Sequence, residues 1–177
     1  MIYLILIVSI VLYVALQQPT LFSLGVSDSC LGNAFIYMFA HTSWLHLFIN
    51  FLSIAMLWVP IRNLYTGRYN VRPITLGLST YCAAVLAGIV TASQVPTVGM
   101  SGCVFFLLGV LLMMNPTKKQ LLNYIWLVAT VIMQWCFGKS NVTLHLFAFV
   151  EGMLFVCIRE FIYQYKNHIG LFSPDTV

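Results

Sequence analysis

The chain has 177 residues, of which 61% are hydrophobic and only 7% charged, with a mean hydropathy of +0.95. Soluble domains carry about a quarter of their residues charged, so this composition excludes one and specifies an integral membrane protein. The net charge of +4 is spread over loops, which fits membrane topology and excludes a polyanion or nucleic-acid site.

Residues 2–16 are almost wholly apolar, and Gln17-Gln18-Pro19 ends the run. No Lys or Arg precedes it and no small-x-small cleavage site clearly follows, so it reads as an uncleaved first span over 2–17, with a signal peptide as the rival. Residues 19–43 form a long loop with Asp28, Cys30 and the Gly32-Asn33 turn signal. Its stretch Phe35-Ile36-Tyr37-Met38-Phe39 is apolar enough to lie in the membrane interface. A second span covers 44–59, closed by Pro60 and Arg62, and a third covers 73–92. The fourth, 101–115, is short and ends at Asn115-Pro116. The fifth, 121–137, has Trp126 and Trp135 near its ends, and Gly138-Lys139-Ser140-Asn141 turns the chain. A sixth span over 142–163 and a polar tail over 166–177 complete one all-α membrane domain over 1–177, with six transmembrane helices and a short central fourth helix.

Seven of the eight Lys and Arg follow even-numbered spans (Arg62, Arg68, Arg72, Lys118, Lys119, Arg159, Lys166), and Lys139 follows an odd one. The positive-inside rule then puts both termini in the cytoplasm, so that the start of the fourth span opens to the outer side. Five cysteines are scattered without a Cys-x-x-Cys pair, and four of them, Cys82, Cys103, Cys136 and Cys157, fall in apolar segments. These read as small buried apolar residues; Cys30, in the first loop, has no obvious partner.

The chain is organised around Val98-Gly99-Met100-Ser101-Gly102-Cys103. A helix from Ser101 to Met114 is about 21 Å long at 1.5 Å per residue. In a hydrocarbon core about 30 Å thick, its serine end must then lie well below the opposite surface. Irregular backbone at that depth survives only inside protein or beside a water-filled cavity. A hydroxyl there, at the positive end of a helix and flanked by glycines, suggests a reaction centre. The plain alternative is a small-residue packing site.

Other polar groups lie at depth, where they are costly and usually functional. His46 and Asn50 are four apart and share a helix face. His41 is five from His46, about 140° round the helix, which excludes a His-Glu-x-x-His metal site and suits a capping or loop-fixing role. His145 shares its face with Ala148 and Gly152, small residues that let another helix approach closely. Its best partner in the chain is Ser101, with His145 as general base and Ser101 as nucleophile. Phe105, one turn below the serine, can pack on the imidazole. The Ser101 N–H with the His46 and Asn50 side chains could hold a tetrahedral oxyanion. Glu151 points about 240° away from His145, so it is no third member of a triad.

Together these residues resemble the motifs of the rhomboid intramembrane serine proteases. Those are a His-x4-His-x3-Asn in span two (His41, His46, Asn50), a Gly-x-Ser-Gly opening span four (Gly99, Ser101, Gly102), and a His followed by small residues in span six (His145, Ala148, Gly152). The resemblance implies a serine endopeptidase with Ser101 as nucleophile and His145 as base. It also implies an oxyanion hole of His46, Asn50 and the backbone at Met100 and Ser101, and a turn shaped by Gly99 and Gly102. Implied too are transmembrane protein substrates, a substrate helix entering between spans two and five, cleavage after a small residue, no cofactor and no metal. A multi-pass place in a bacterial cytoplasmic membrane is expected. The chain departs from many bacterial members in carrying Ile36-Tyr37 in place of Trp-Arg, Arg62-Asn63 in place of an acid after span two, Phe105 in place of tyrosine and Ala148 in place of glycine. Two other classes remain: a non-catalytic relative that binds membrane helices, and a small transporter with a polar path through His46, Asn50, His145 and Glu151. The separate faces of His145 and Glu151 argue against the last.

Overall fold

The computed structural model describes residues 2–16, 18–66, 71–114, 125, 129 and 141–168. These are mostly helical. After α1 (Ile2–Ala15) and the short α2 (Gln18–Ser23) come two 3-10 turns, Leu31–Phe35 and Tyr37–Phe39. They are followed by α3 (Trp44–Thr66), α4 (Pro73–Val90), α5 (Ser101–Met114) and α6 (Val142–His168). Of these, α4 and the Val142–Tyr165 part of α6 are long and apolar enough to cross a membrane, while Trp44–Leu57 and Ser101–Met114 are shorter apolar stretches. The expected fifth span, 121–137, lies outside the described residues apart from isolated positions.

A helix that is apolar all round must be buried, and α5 is. Every residue from Gly102 to Leu111 is buried, as is Met114. It packs most extensively on α6, and also on α4 and α3. Around this centre the outward surfaces stay apolar. On α6, Leu146, Val150, Leu154, Ile158 and Phe161 are exposed at helical spacing, as are Ile7, Val11 and Val14 on α1. Such a surface suits a hydrocarbon solvent and no aqueous one.

The close approach of α5 to α6 has a definite cause. A Cβ on Gly109 would collide with the Phe149 carbonyl, and one on Gly152 with the Phe106 carbonyl. Backbone therefore meets backbone where any larger residue would hold the helices apart. The buried face of α4 is also made largely of small residues, Gly77, Thr80, Ala84, Ala87 and Gly88. Its hydroxyls are satisfied within the helix: Thr80 donates to the Leu76 carbonyl at 2.7 Å and Thr91 to that of Ala87 at 2.7 Å.

Three expectations need correction. Pro60 lies inside α3, which runs on to Thr66. Proline leaves a carbonyl one turn back without its donor, but neighbouring groups can serve it in a membrane bundle, so the residue does not end the helix. At its other end the chain stays helical past Tyr163, through the start of the polar tail, to His168. Cys82 and Cys157 are exposed rather than buried, because an apolar position on a membrane protein can equally face lipid; among the described cysteines only Cys103 is buried.

The first loop is folded rather than merely interfacial. Tyr37 and Met38 are fully buried, while Phe35 and Ile36 beside them are exposed. Val26 and Thr97 exchange N–H···O bonds of 3.0 and 2.9 Å, and Asp28 N–H donates to the Ser93 carbonyl at 3.0 Å. Asn33 donates to the carbonyls of Ser23 and Gly25, and Tyr37 donates its phenol hydrogen to the Ala84 carbonyl at 2.8 Å. The loop is thus fastened to α4 and to the segment that leads into Ser101.

Candidate active site

Gly99 makes the turn into α5 with a φ of +109°, a conformation that L side chains rarely adopt. Its N–H donates to the Tyr37 carbonyl at 3.0 Å. A Cβ at this position would lie 2.7 Å from His46 Nε2 and 2.6 Å from His46 Cε1, so the imidazole of α3 rests directly against the glycine backbone. Met100, fully buried, follows, and Ser101 opens the helix. The first N–H groups of a helix have no intrahelical acceptor, and that of Ser101 is one of them.

His145 enters from the first turn of α6 and is 2% exposed. Its Nε2 stands 2.6 Å from Ser101 Oγ. The Phe105 ring stacks on the imidazole with centroids 4.4 Å apart and planes inclined by 16°, which holds the ring in plane beside the hydroxyl. A neutral imidazole that accepts from the serine at Nε2 carries its own proton on Nδ1. Among the described residues that nitrogen has no partner, so no carboxylate in them orients the ring.

His46 and Asn50 converge on the same turn from α3. Ser43 caps this helix by accepting the His46 N–H on its hydroxyl at 3.1 Å. Asn50 Nδ2 donates one hydrogen to the His46 carbonyl at 3.1 Å and lies 3.7 Å from where a Gly99 Cβ would be, which leaves a second N–H on that nitrogen. Asn50 is 4% exposed. Thr42 Oγ1 is 3.5 Å from His46 Nδ1, the other ring nitrogen. His41 stands apart from the serine. Its ring meets that of His46 edge-on at 5.0 Å and its Nδ1 lies 3.4 Å from the Phe39 carbonyl, in the end of the first loop.

Gly102 does not shape the turn. It is the second residue of α5, packed beneath the Tyr37 hydroxyl and Leu144, which a Cβ would approach to 3.1 and 3.2 Å. Ala148 is fully buried on α6, and Gly152, further along, makes the backbone contact with α5. Glu151 is partly buried, and its Oε2 has no partner among the described residues. Two residues that matter here escaped the sequence reading. Tyr37 was visible only as a departure in the first loop, yet its carbonyl and phenol tie that loop to the Gly99 turn and to α4. Asn141 looked like a turn residue, and it bonds to three segments at once.

Chemically, the site offers a half-buried serine hydroxyl against a buried imidazole that has no acid partner among the described residues, with a second imidazole, an amide and helix-terminal N–H groups grouped on the glycine turn beside it. The family model for the Rhomboid domain matches residues 28–161, a range that contains every one of these groups. Comparison with curated proteins and with solved structures gives no match. With that match over most of its length, and with membrane-length apolar helices, the chain belongs to the rhomboid family of intramembrane serine proteases and is an integral membrane protein.

Proposed function

We propose that the protein is an active intramembrane serine protease that cleaves peptide bonds in or near the transmembrane helices of other proteins, using Ser101 and His145. The observation that carries this reading is the 2.6 Å approach of His145 Nε2 to Ser101 Oγ inside an apolar core. His145 takes the serine proton as Oγ attacks the scissile carbonyl carbon, and the carbonyl oxygen becomes an oxyanion. His46, the second N–H of Asn50, and the N–H groups at Met100 and Ser101 surround the place where that charge forms. The protonated His145 then gives its proton to the leaving amine as the C–N bond breaks. Water, deprotonated by the same imidazole, then attacks the acyl carbon, and His145 returns that proton to Ser101 Oγ as the C–Oγ bond breaks.

The architecture that goes with this reading is six spans with both termini cytoplasmic. The distribution of Lys and Arg supports it, and it turns the Ser101 end of α5 toward the outer side of a bacterial cytoplasmic membrane. A substrate helix must open before its carbonyl can reach Ser101, and Gly or Pro near its outer end lowers the cost of opening by about 1–3 kcal/mol relative to Ala. Cleavage in liposomes of two matched substrate helices, one with Gly-Pro near its outer end and one rich in Leu, tests this. The Gly-Pro helix is cut faster, and neither is cut by Ser101→Ala or His145→Ala protein. Proteolysis retained in either variant would remove the dyad from the account.

A further inference from the structure

Ser101 and His145 belong to different helices and are 44 residues apart in sequence. The glycine contact between α5 and α6 sets the separation of their axes, but it lies two turns from the dyad and does not fix the rotation of the first turn of α6. At that end Leu144 packs against Gly102 and Phe105 against His145, and one side chain adds hydrogen bonds between the segments. Asn141, the residue before α6, accepts the Leu144 N–H on Oδ1 at 3.0 Å and so caps the helix. Its Nδ2 lies 2.9 Å from the Thr91 carbonyl oxygen and 3.3 Å from Thr97 Oγ1, one hydrogen for each acceptor. The Leu144 N–H needs an acceptor and the Thr91 carbonyl needs a donor, so the orientation of the amide follows from its partners.

Thr91 ends α4, and Thr97 belongs to the segment that runs into Ser101, so a single amide joins three pieces of chain. Thr97 is four residues before Ser101, and Asn141 is four residues before His145. The Asn141–Thr97 contact and the His145–Ser101 contact therefore both span 44 positions, like successive rungs between the same two segments. The Asn141 carbonyl also accepts the His145 N–H at 3.3 Å, so the clipped residue opens the helical ladder on which His145 stands.

We propose that Asn141 is a positioning residue, which locks the first turn of α6 to the segment before Ser101 and so keeps His145 in hydrogen-bonding register with the serine. This rests on the proteolytic reading of the two residues. Its two jobs separate by substitution. Asn141→Asp keeps an oxygen for the Leu144 N–H but sets a carboxylate against the Thr91 carbonyl, whereas Asn141→Ala removes cap and clip together. Misplacing a catalytic group by about 1 Å costs up to 10²-fold in rate. In liposomes, Asn141→Asp should keep a thermal midpoint near that of wild type and a KM within about twofold, while kcat falls at least tenfold. Asn141→Ala should show the same loss of kcat with a lower midpoint as well. A second variant, Thr97→Val, leaves the backbone pairing with Val26 in place and should lower kcat about threefold at an unchanged midpoint, as expected for one neutral hydrogen bond. An Asn141→Asp protein with wild-type kcat, or one whose activity falls only with its folded fraction, would overturn the proposal, as would an unaltered kcat in Thr97→Val. A wild type that neither cleaves a substrate helix nor reacts with a fluorophosphonate would instead overturn the proteolytic reading, and this proposal with it.

Discussion

At the scale of residues, the candidate site is a set of short-range demands placed on very few atoms. Gly99 meets two of them together: the backbone takes a positive φ, and His46 occupies the space where a side chain would begin. An L residue in the left-handed region costs about 1–2 kcal/mol, and here the collision with the imidazole is added. Gly99→Ala should therefore lower the cleavage rate by about 10² or more, since the His46 ring must swing out of the proposed oxyanion site. An alanine variant that cleaves at the wild-type rate would show that the turn is not held against His46. Asn50→Ala is expected to slow cleavage without abolishing it. It removes one of several donors, and the loss of one such donor costs about 10²–10³ in kcat. That leaves measurable activity, in contrast to Ser101→Ala, and complete loss would mean that Asn50 has a structural role beyond donation.

At the scale of elements, the Gly109–Gly152 contact decides whether Ser101 and His145 can meet. Leucine at Gly152 would drive its side chain into the Phe106 carbonyl. Overpacking of this kind costs about 1–3 kcal/mol, and the helices relieve it by moving apart. Gly152→Leu is expected to lower the thermal midpoint in detergent and to abolish cleavage together. An unchanged midpoint would mean that α5 and α6 do not touch there. The helical class and the family were legible in the sequence because three short polar motifs stand out against an apolar background. The alanine and glycine after His145 (Ala148 and Gly152) announce that its helix packs closely on something, and Ser101 was the nucleophile left to meet it. The folding of the first loop was less visible. Tyr37 and Met38 are buried while Phe35 and Ile36 are exposed, and nothing in an unbroken apolar pentapeptide distinguishes them. Pro60 misled because propensity rules drawn from water overstate what a proline does to a helix whose carbonyls have protein neighbours. Asn141 was hidden for another reason. Its acceptors are 50 and 44 residues away, and local periodicity carries no information about them.

At the scale of the molecule, the arrangement puts the proposed hydrolytic centre inside an apolar body whose outer surface is also apolar. Access from one side of the membrane is what the charge distribution predicts. Cys30 is a natural reporter, since it is exposed in the first loop, on the same side as the Ser101 end of α5 under this topology. A membrane-impermeant maleimide should label it in intact cells, with Cys30→Ser as the blank. Labelling that needs permeabilised cells would invert the topology. The central claim, that Ser101 is a nucleophile activated by His145, is tested most directly by reacting the purified protein with a fluorophosphonate probe and locating the adduct by mass spectrometry. The account predicts one adduct per chain, on Ser101, absent from both Ser101→Ala and His145→Ala. Folded wild-type protein that takes up no probe, or labelling that survives in His145→Ala at the wild-type rate, would contradict it.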